Sequence, residues 1–157
     1  MSSYPETLKE QLSSIIREMA NSPALFVKNP IRDFTRDRKL PFETMFQIFL
    51  SMGGNSIYKE LLEAQGINVN TPTASAFVQQ RDKILTFAFE FLLHEFTQSF
   101  SDIALYRGYR LLATDGSDLH IAHNPDDPDT YMKSNPGSKG YNLIHLNAMF
   151  DIVFFVK

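Results

Sequence analysis

The chain has 157 residues, of which 43% are apolar and 13% aromatic, with 14 Phe and no Trp; this suffices for one ordinary domain, or a small helical domain and part of another, and excludes a wholly disordered chain. The absence of cysteine excludes a disulfide framework, a thiolate metal site and a cysteine nucleophile. A net charge of -3 excludes a globally basic nucleic-acid binder, so any DNA contact has to be local.

The first residues, MSSYPETLKEQL, carry neither the basic patch nor the apolar run of a signal peptide, and no segment approaches the roughly 20 apolar residues of a membrane span. A cytoplasmic protein with no membrane partner is expected. From Glu6 to Ala20, the residues Leu8, Leu12, Ile15, Ile16 and Met19 recur at helical spacing and predict an amphipathic first helix. The densest basic stretch follows, Lys28 to Lys39, in which Lys28, Arg32, Arg36, Arg38 and Lys39 face only Asp33 and Asp37. Pro41 to Met52 is apolar nearly all round through Phe42, Met45, Phe46, Ile48, Phe49 and Leu50, and reads as a buried second helix ended by Gly53 and Gly54. Ser56 to Gln65 predicts a third helix closed by Gly66. Thr71-Pro72 reads as an N-cap with proline at the first helical position. It opens a fourth helix with Phe77, Ile84, Phe87, Phe91 and Phe96 on its apolar face and a break near Lys83.

Past about Ser101 the period changes. Tyr109 to Thr114 and Asp118 to Ala122 are short apolar runs on either side of an Asp115-Gly116-Ser117 turn signal, and predict two strands. A polar loop, His123 to Gly140, leads to two more, Tyr141 to Phe150 and Ile152 to Val156. The sequence reaches Lys157 straight after the apolar run DIVFFVK. An open sheet with no covering helix leaves faces and edges unpaired, so an incomplete second domain is expected.

Asp115 ends an apolar run before Gly116, a place where a buried sheet meets solvent and where metal ligands are found. The competing reading is a plain Asp-Gly hairpin turn. Asp118 offers either a second carboxylate or an ordinary solvent-facing strand residue. His120 and His123 form an H-x-x-H pair, but residues three apart on a strand point to opposite faces, which argues against one shared ion. His145 and His94 read as packing residues. Asp126, Asp127 and Asp129 read as a solvated loop without the glycine and glutamate of a calcium loop. Gln79, Gln80, Arg81 and Lys83 lie on the polar side of the fourth helix; these residue types hold phosphates or read base edges, or simply form a solvated face.

Four phrases taken in order resemble the DDE transposases of bacterial insertion sequences, family four. They are DFTRDRKLPF (Asp33 to Phe42), SAFVQQRDKI (Ser75 to Ile84), YRGYRLLATDGSDLHIAHNP (Tyr106 to Pro125) and KGYNLIHLNAMFDI (Lys139 to Ile152). The resemblance implies an α+β chain: an all-α DNA-binding domain over residues 1–105, then the first strands of an incomplete RNase H-like α/β domain over 106–157. It implies that Asp115, in the D-G-S element, is the first catalytic and metal-binding acid. In that family two divalent ions, Mg2+ or Mn2+, held by two aspartates and a glutamate, activate water and then a DNA 3′ hydroxyl for in-line attack on phosphodiesters.

The family's second aspartate and its glutamate signature are absent, Asp151 matches a non-catalytic family position, and after Ile152 the likeness degrades into VFFVK, as a frameshift or truncated gene would produce. One carboxylate cannot assemble a two-metal site, so neither tight metal binding nor strand cleavage by this chain alone is expected. The implied partner is DNA, the terminal inverted repeats of a transposon, with Arg36, Arg38, Lys39, Gln80, Arg81 and Lys83 as contacts; a homodimer is left open. Two other outcomes are a non-cutting competitor of intact transposase and an inert genomic relic whose exposed aromatic strands promote association.

Overall fold

Leu12, Ile15, Ile16 and Met19 are spaced three, one and three residues apart and so fall along one side of a helix. Helix α1 (Tyr4–Asn21) turns that side inward, burying Ile15, Ile16 and Met19. The computed structural model describes residues 4–36, 39–67, 71–99 and 105–151, with five α-helices followed by a three-stranded antiparallel sheet, an α+β arrangement. The chain divides into two units, Met1–Ser101 and Asp102–Lys157. No helix among the described residues is long and apolar enough to cross a membrane.

The core of the helical unit is built on phenylalanine. Helix α2 (Phe42–Ser51) buries Phe42, Met45, Phe46 and Ile48. Phe46 packs against Phe42, Phe49 and Phe89 with ring centroids 5.0, 5.8 and 5.1 Å apart. Leu50, expected in the same core, is 53% exposed instead, because the apolar surface of α2 does not close all the way round. Helix α3 (Ile57–Gln65) starts on its cap Ser56 and stops at Gly66, whose φ of 76° suits a residue without Cβ.

The fourth expected helix is two: α4 (Ala74–Arg81) and α5 (Phe87–Gln98). Its cap is Thr73 and not Thr71. Thr73 is extended and accepts the Ala76 N–H at 3.2 Å, whereas the Thr71 hydroxyl donates to the Gly66 carbonyl at 2.6 Å. The break near Lys83 has a physical cause. Val27 and Ile84 form an antiparallel bridge, with Lys28 N–H donating to Lys83 O at 2.8 Å and Leu85 N–H to Phe26 O at 2.9 Å. Backbone groups that would continue a helix are spent on a distant segment.

Glu60, buried in the first turn of α3, reaches back to the turn that follows α2, where its Oε1 accepts the N–H groups of Asn55 at 2.7 Å and Gly53 at 3.0 Å. These bonds, Asn55 first and Gly53 second, favour the ionised carboxylate and hold its pKa below the ordinary glutamate value. A depressed folded-state pKa means the stabilisation is complete above the unfolded-state value and is lost as pH falls through the folded one. Urea unfolding at neutral and acid pH is expected to show a loss of stability on acidification in the parent chain that is smaller in Glu60→Gln. An equal loss in both would remove Glu60 as its source.

The second unit departs from the expected strand plan. Strand β1 (Leu112–Ile121) runs unbroken through Asp115, Gly116 and Ser117, which pair with Ala148, Asn147 and Leu146 of β3 (Tyr141–Asp151). The expected turn is therefore mid-strand, and Asp115 does not end a strand. A tight hairpin needs positive φ, which Gly116 does not have, and the long partner strand satisfies the backbone across the whole motif. Inside the expected loop, β2 (Tyr131–Met132) pairs with the start of β3. Asn142 anchors this corner. It is 1% exposed, its Oδ1 accepts Asn124 N–H at 2.8 Å, and its Nδ2 donates to Asn124 O and Thr130 Oγ1 at 2.8 and 2.9 Å. The expected strand Ile152 to Val156 lies outside the described residues.

Candidate nucleic-acid interface

The Val27–Ile84 bridge decides which charges meet. It brings the basic stretch after Lys28 alongside the C-terminal end of α4, and Lys28 Nζ reaches Asp82 Oδ1 at 3.0 Å across the same junction. The loop beyond it has a set shape. Asp33, 8% exposed, accepts Asn29 N–H at 3.0 Å and returns its own N–H to Asn29 O at 2.8 Å, and Thr35 Oγ1 donates to Arg32 O at 3.0 Å. Phe34 takes the left-handed φ of 56°, rare for a bulky residue, and its ring meets Phe42 edge-on at 5.5 Å.

Two adjoining clefts result. One, of about 620 Å³, is walled by Arg32, Asp33, Phe34, Arg36, Gln79 and Lys83 among others. The other, of about 400 Å³, is walled by Lys39, Leu40, Thr71, Pro72 and Ala76, and shares Gln79, Gln80 and Lys83 with the first. Arg32, Arg36 and Lys39 are exposed, and among the described residues of these walls the one carboxylate, that of Asp33, is already held by a backbone donor. Four cationic side chains from segments some fifty residues apart in sequence thus line one surface. Such a cleft can hold consecutive phosphates, which are bound by Arg, Lys and amide side chains and fix a protein on its duplex.

Of the sequence-derived DNA contacts, Arg36, Lys39, Gln80 and Lys83 come together here. Gln80 is 7% exposed, and its Oε1 accepts Lys83 Nζ at 2.6 Å. Its place is behind Lys83, which it orients, while Gln79, on the same shared wall, is the exposed amide. Arg81 is exposed but lines neither cleft, and Arg38 lies outside the described residues. Arg32 was visible in the basic stretch but carries no sequence mark that separates it from Lys28, which turns to Asp82 instead.

Comparison with family models, curated proteins and solved structures returns no match. Geometry alone therefore speaks for Asp115 as well. Residues paired across β1 and β3 share a face. Asp115 stands with Ala113, Ser117, Leu119, Leu146, Ala148 and Phe150, whereas Asp118 lies on the opposite face with His120 and His145. Asp118 cannot join Asp115 on one ion. No three His, Asp or Glu side chains among the described residues converge as a metal site.

The histidines find other partners: His120 lies 5.6 Å from the Tyr141 ring, His123 lies 5.9 Å from Tyr131, and His145 Nδ1 is 2.7 Å from Asp118 Oδ1. His94 and His145 are exposed and not core packing residues. In the acidic loop, Asp127 accepts from Thr130 Oγ1 at 2.8 Å and Asp129 N–H at 3.2 Å, an internal turn.

Proposed function

We propose that the helical unit binds DNA through the paired clefts, as the end-binding part of a DDE-type transposase whose RNase H-like domain begins with the β1–β3 ribbon. The observation that supports this reading is the meeting of Arg32, Arg36, Lys39 and Lys83 on one surface of a chain whose net charge is negative. An acidic protein gathers cations locally where an anionic ligand offsets their repulsion. The test is binding of the chain to a duplex carrying a transposon terminal inverted repeat, measured from low to moderate salt. Affinity is expected to fall steeply as salt rises, because each phosphate contact releases counterions. Salt-independent binding, or none, would sink the reading.

Within this reading, the chain binds ends without cutting them. Mg2+ and Mn2+ require several oxygen ligands, and Asp115 has apolar side chains and Ser117 as its same-face neighbours. The described residues do not fit a two-ion site, so no chemical step is assigned to them. Incubation with end DNA and Mg2+ or Mn2+ is expected to leave both strands intact. End-specific nicking that Asp115→Ala abolishes would contradict this and restore an enzymatic role.

A further inference from the structure

The β1–β3 ribbon exposes apolar side chains on both faces, including Leu119, Leu146 and Phe150 on one and Leu112 and Met149 on the other. Burial therefore does not fix its register as it does in a sheet lying on a core. The register nevertheless decides what stands beside Asp115. A slide by one residue would replace Ala148 opposite it with Asn147 or Met149, and a slide by two with Leu146 or Phe150. Directional side-chain contacts have to supply the missing constraint.

Gly116 is the only residue of β1 or β3 without a side chain, and it sits mid-strand without positive φ. Glycine in such a place marks a close approach. The approaching groups come from β3: a Cβ at position 116 would meet Asn147 Oδ1 at 3.2 Å and His145 Cε1 and Nε2 at 3.3 Å. The same imidazole is held from β1, because Asp118 stands directly opposite His145 with Oδ1 2.7 Å from Nδ1. We propose that Gly116, Asp118 and His145 form a register key, in which Asp118 and His145 are positioning residues that determine the surroundings of Asp115.

Any slide takes the ring off the one position that lacks a Cβ and pulls it from the carboxylate that grips it. Among the described residues, the contacts of Arg110 with Asp151, of His120 with Tyr141 and of Asn142 lie towards the ribbon's ends, and the key lies in the middle. The proposal rests on the preceding reading only for what Asp115 does. Register itself is measurable without DNA, so the two can fail separately.

Nuclear Overhauser contacts between β1 and β3 in the isotope-labelled full chain report it directly. The parent is expected to show a single set, joining Ser117 to Leu146 and Asp115 to Ala148. Asp118→Ala with His145→Ala is expected to add a second, shifted set of comparable intensity, whereas Asp118→Asn, which keeps an acceptor Oδ1 for the His145 ring over Gly116, is expected to hold one. If the alanine pair loses all contacts and Asp118→Asn keeps them, the key is supported equally. A single unshifted set in the alanine pair, or loss of the single set in Asp118→Asn, overturns the proposal.

Discussion

Replacing Arg32, Arg36 and Lys83 together with glutamine is expected to weaken duplex binding by on the order of tenfold per lost contact at low salt, since hydrogen bonds to charged groups contribute about 1.5–3 kcal/mol and 1.4 kcal/mol is tenfold. The salt dependence reports the mechanism more surely than the affinity. For B-DNA the slope of log K against log salt falls by about 0.9 for each phosphate contact removed, so the triple variant should show a distinctly shallower line. Fold stability should change little. Arg32 and Arg36 are exposed, and the cost at Lys83 is confined to its bond with Gln80. Arg81→Gln is the internal control: it removes the same kind of charge from the last residue of α4, two positions before Lys83 but outside both clefts. Equal losses from Arg81→Gln and from one cleft residue would mean that DNA responds to overall charge and not to this surface.

Phe46→Ala is expected to cost the helical unit about 3–5 kcal/mol, the range for removing a fully buried aromatic ring. Phe46 is inaccessible to solvent and touches rings from α2 and α5, so its loss leaves a cavity with walls on separate elements that cannot close by moving one helix. A domain of this size has only about 5–15 kcal/mol in total. Urea unfolding followed by far-ultraviolet circular dichroism should show the midpoint falling with little change in slope. Phe87→Ala provides the contrast, because Phe87 is half exposed although it stacks on Phe26. A loss at Phe46 no larger than that at Phe87 would show that the core does not centre on Phe46.

The helices were legible because their apolar residues repeat at a period that only one structure satisfies. The core positions Ile15, Met19, Phe46 and Phe77 follow from that pattern. The clefts were not legible as a surface, because the bridge that creates them joins Val27 to Ile84 and two residues so far apart leave no local signature. Sequence could name Arg36, Lys39 and Lys83 as candidates but could not say that they meet, or that Gln80 is buried behind one of them. The Asp115-Gly116-Ser117 motif was misread for a related reason. Asp-Gly prefers a turn when nothing lies opposite, and the ten residues of β3 that lie opposite β1 come after a long loop. Gly116 then serves the approach of His145 and not a reversal of the chain. Strand β2, two residues long, carries too little pattern to be seen at all.

Amide chemical shifts of the labelled chain, followed as end duplex is added, test the central claim most directly. The perturbed residues are expected to cluster at Arg32 to Arg36, Lys39 and Gln79 to Lys83, with α1 and the β1–β3 ribbon unchanged at the first equivalent. Perturbations confined to the ribbon, or spread evenly over the surface, would contradict DNA binding through the paired clefts.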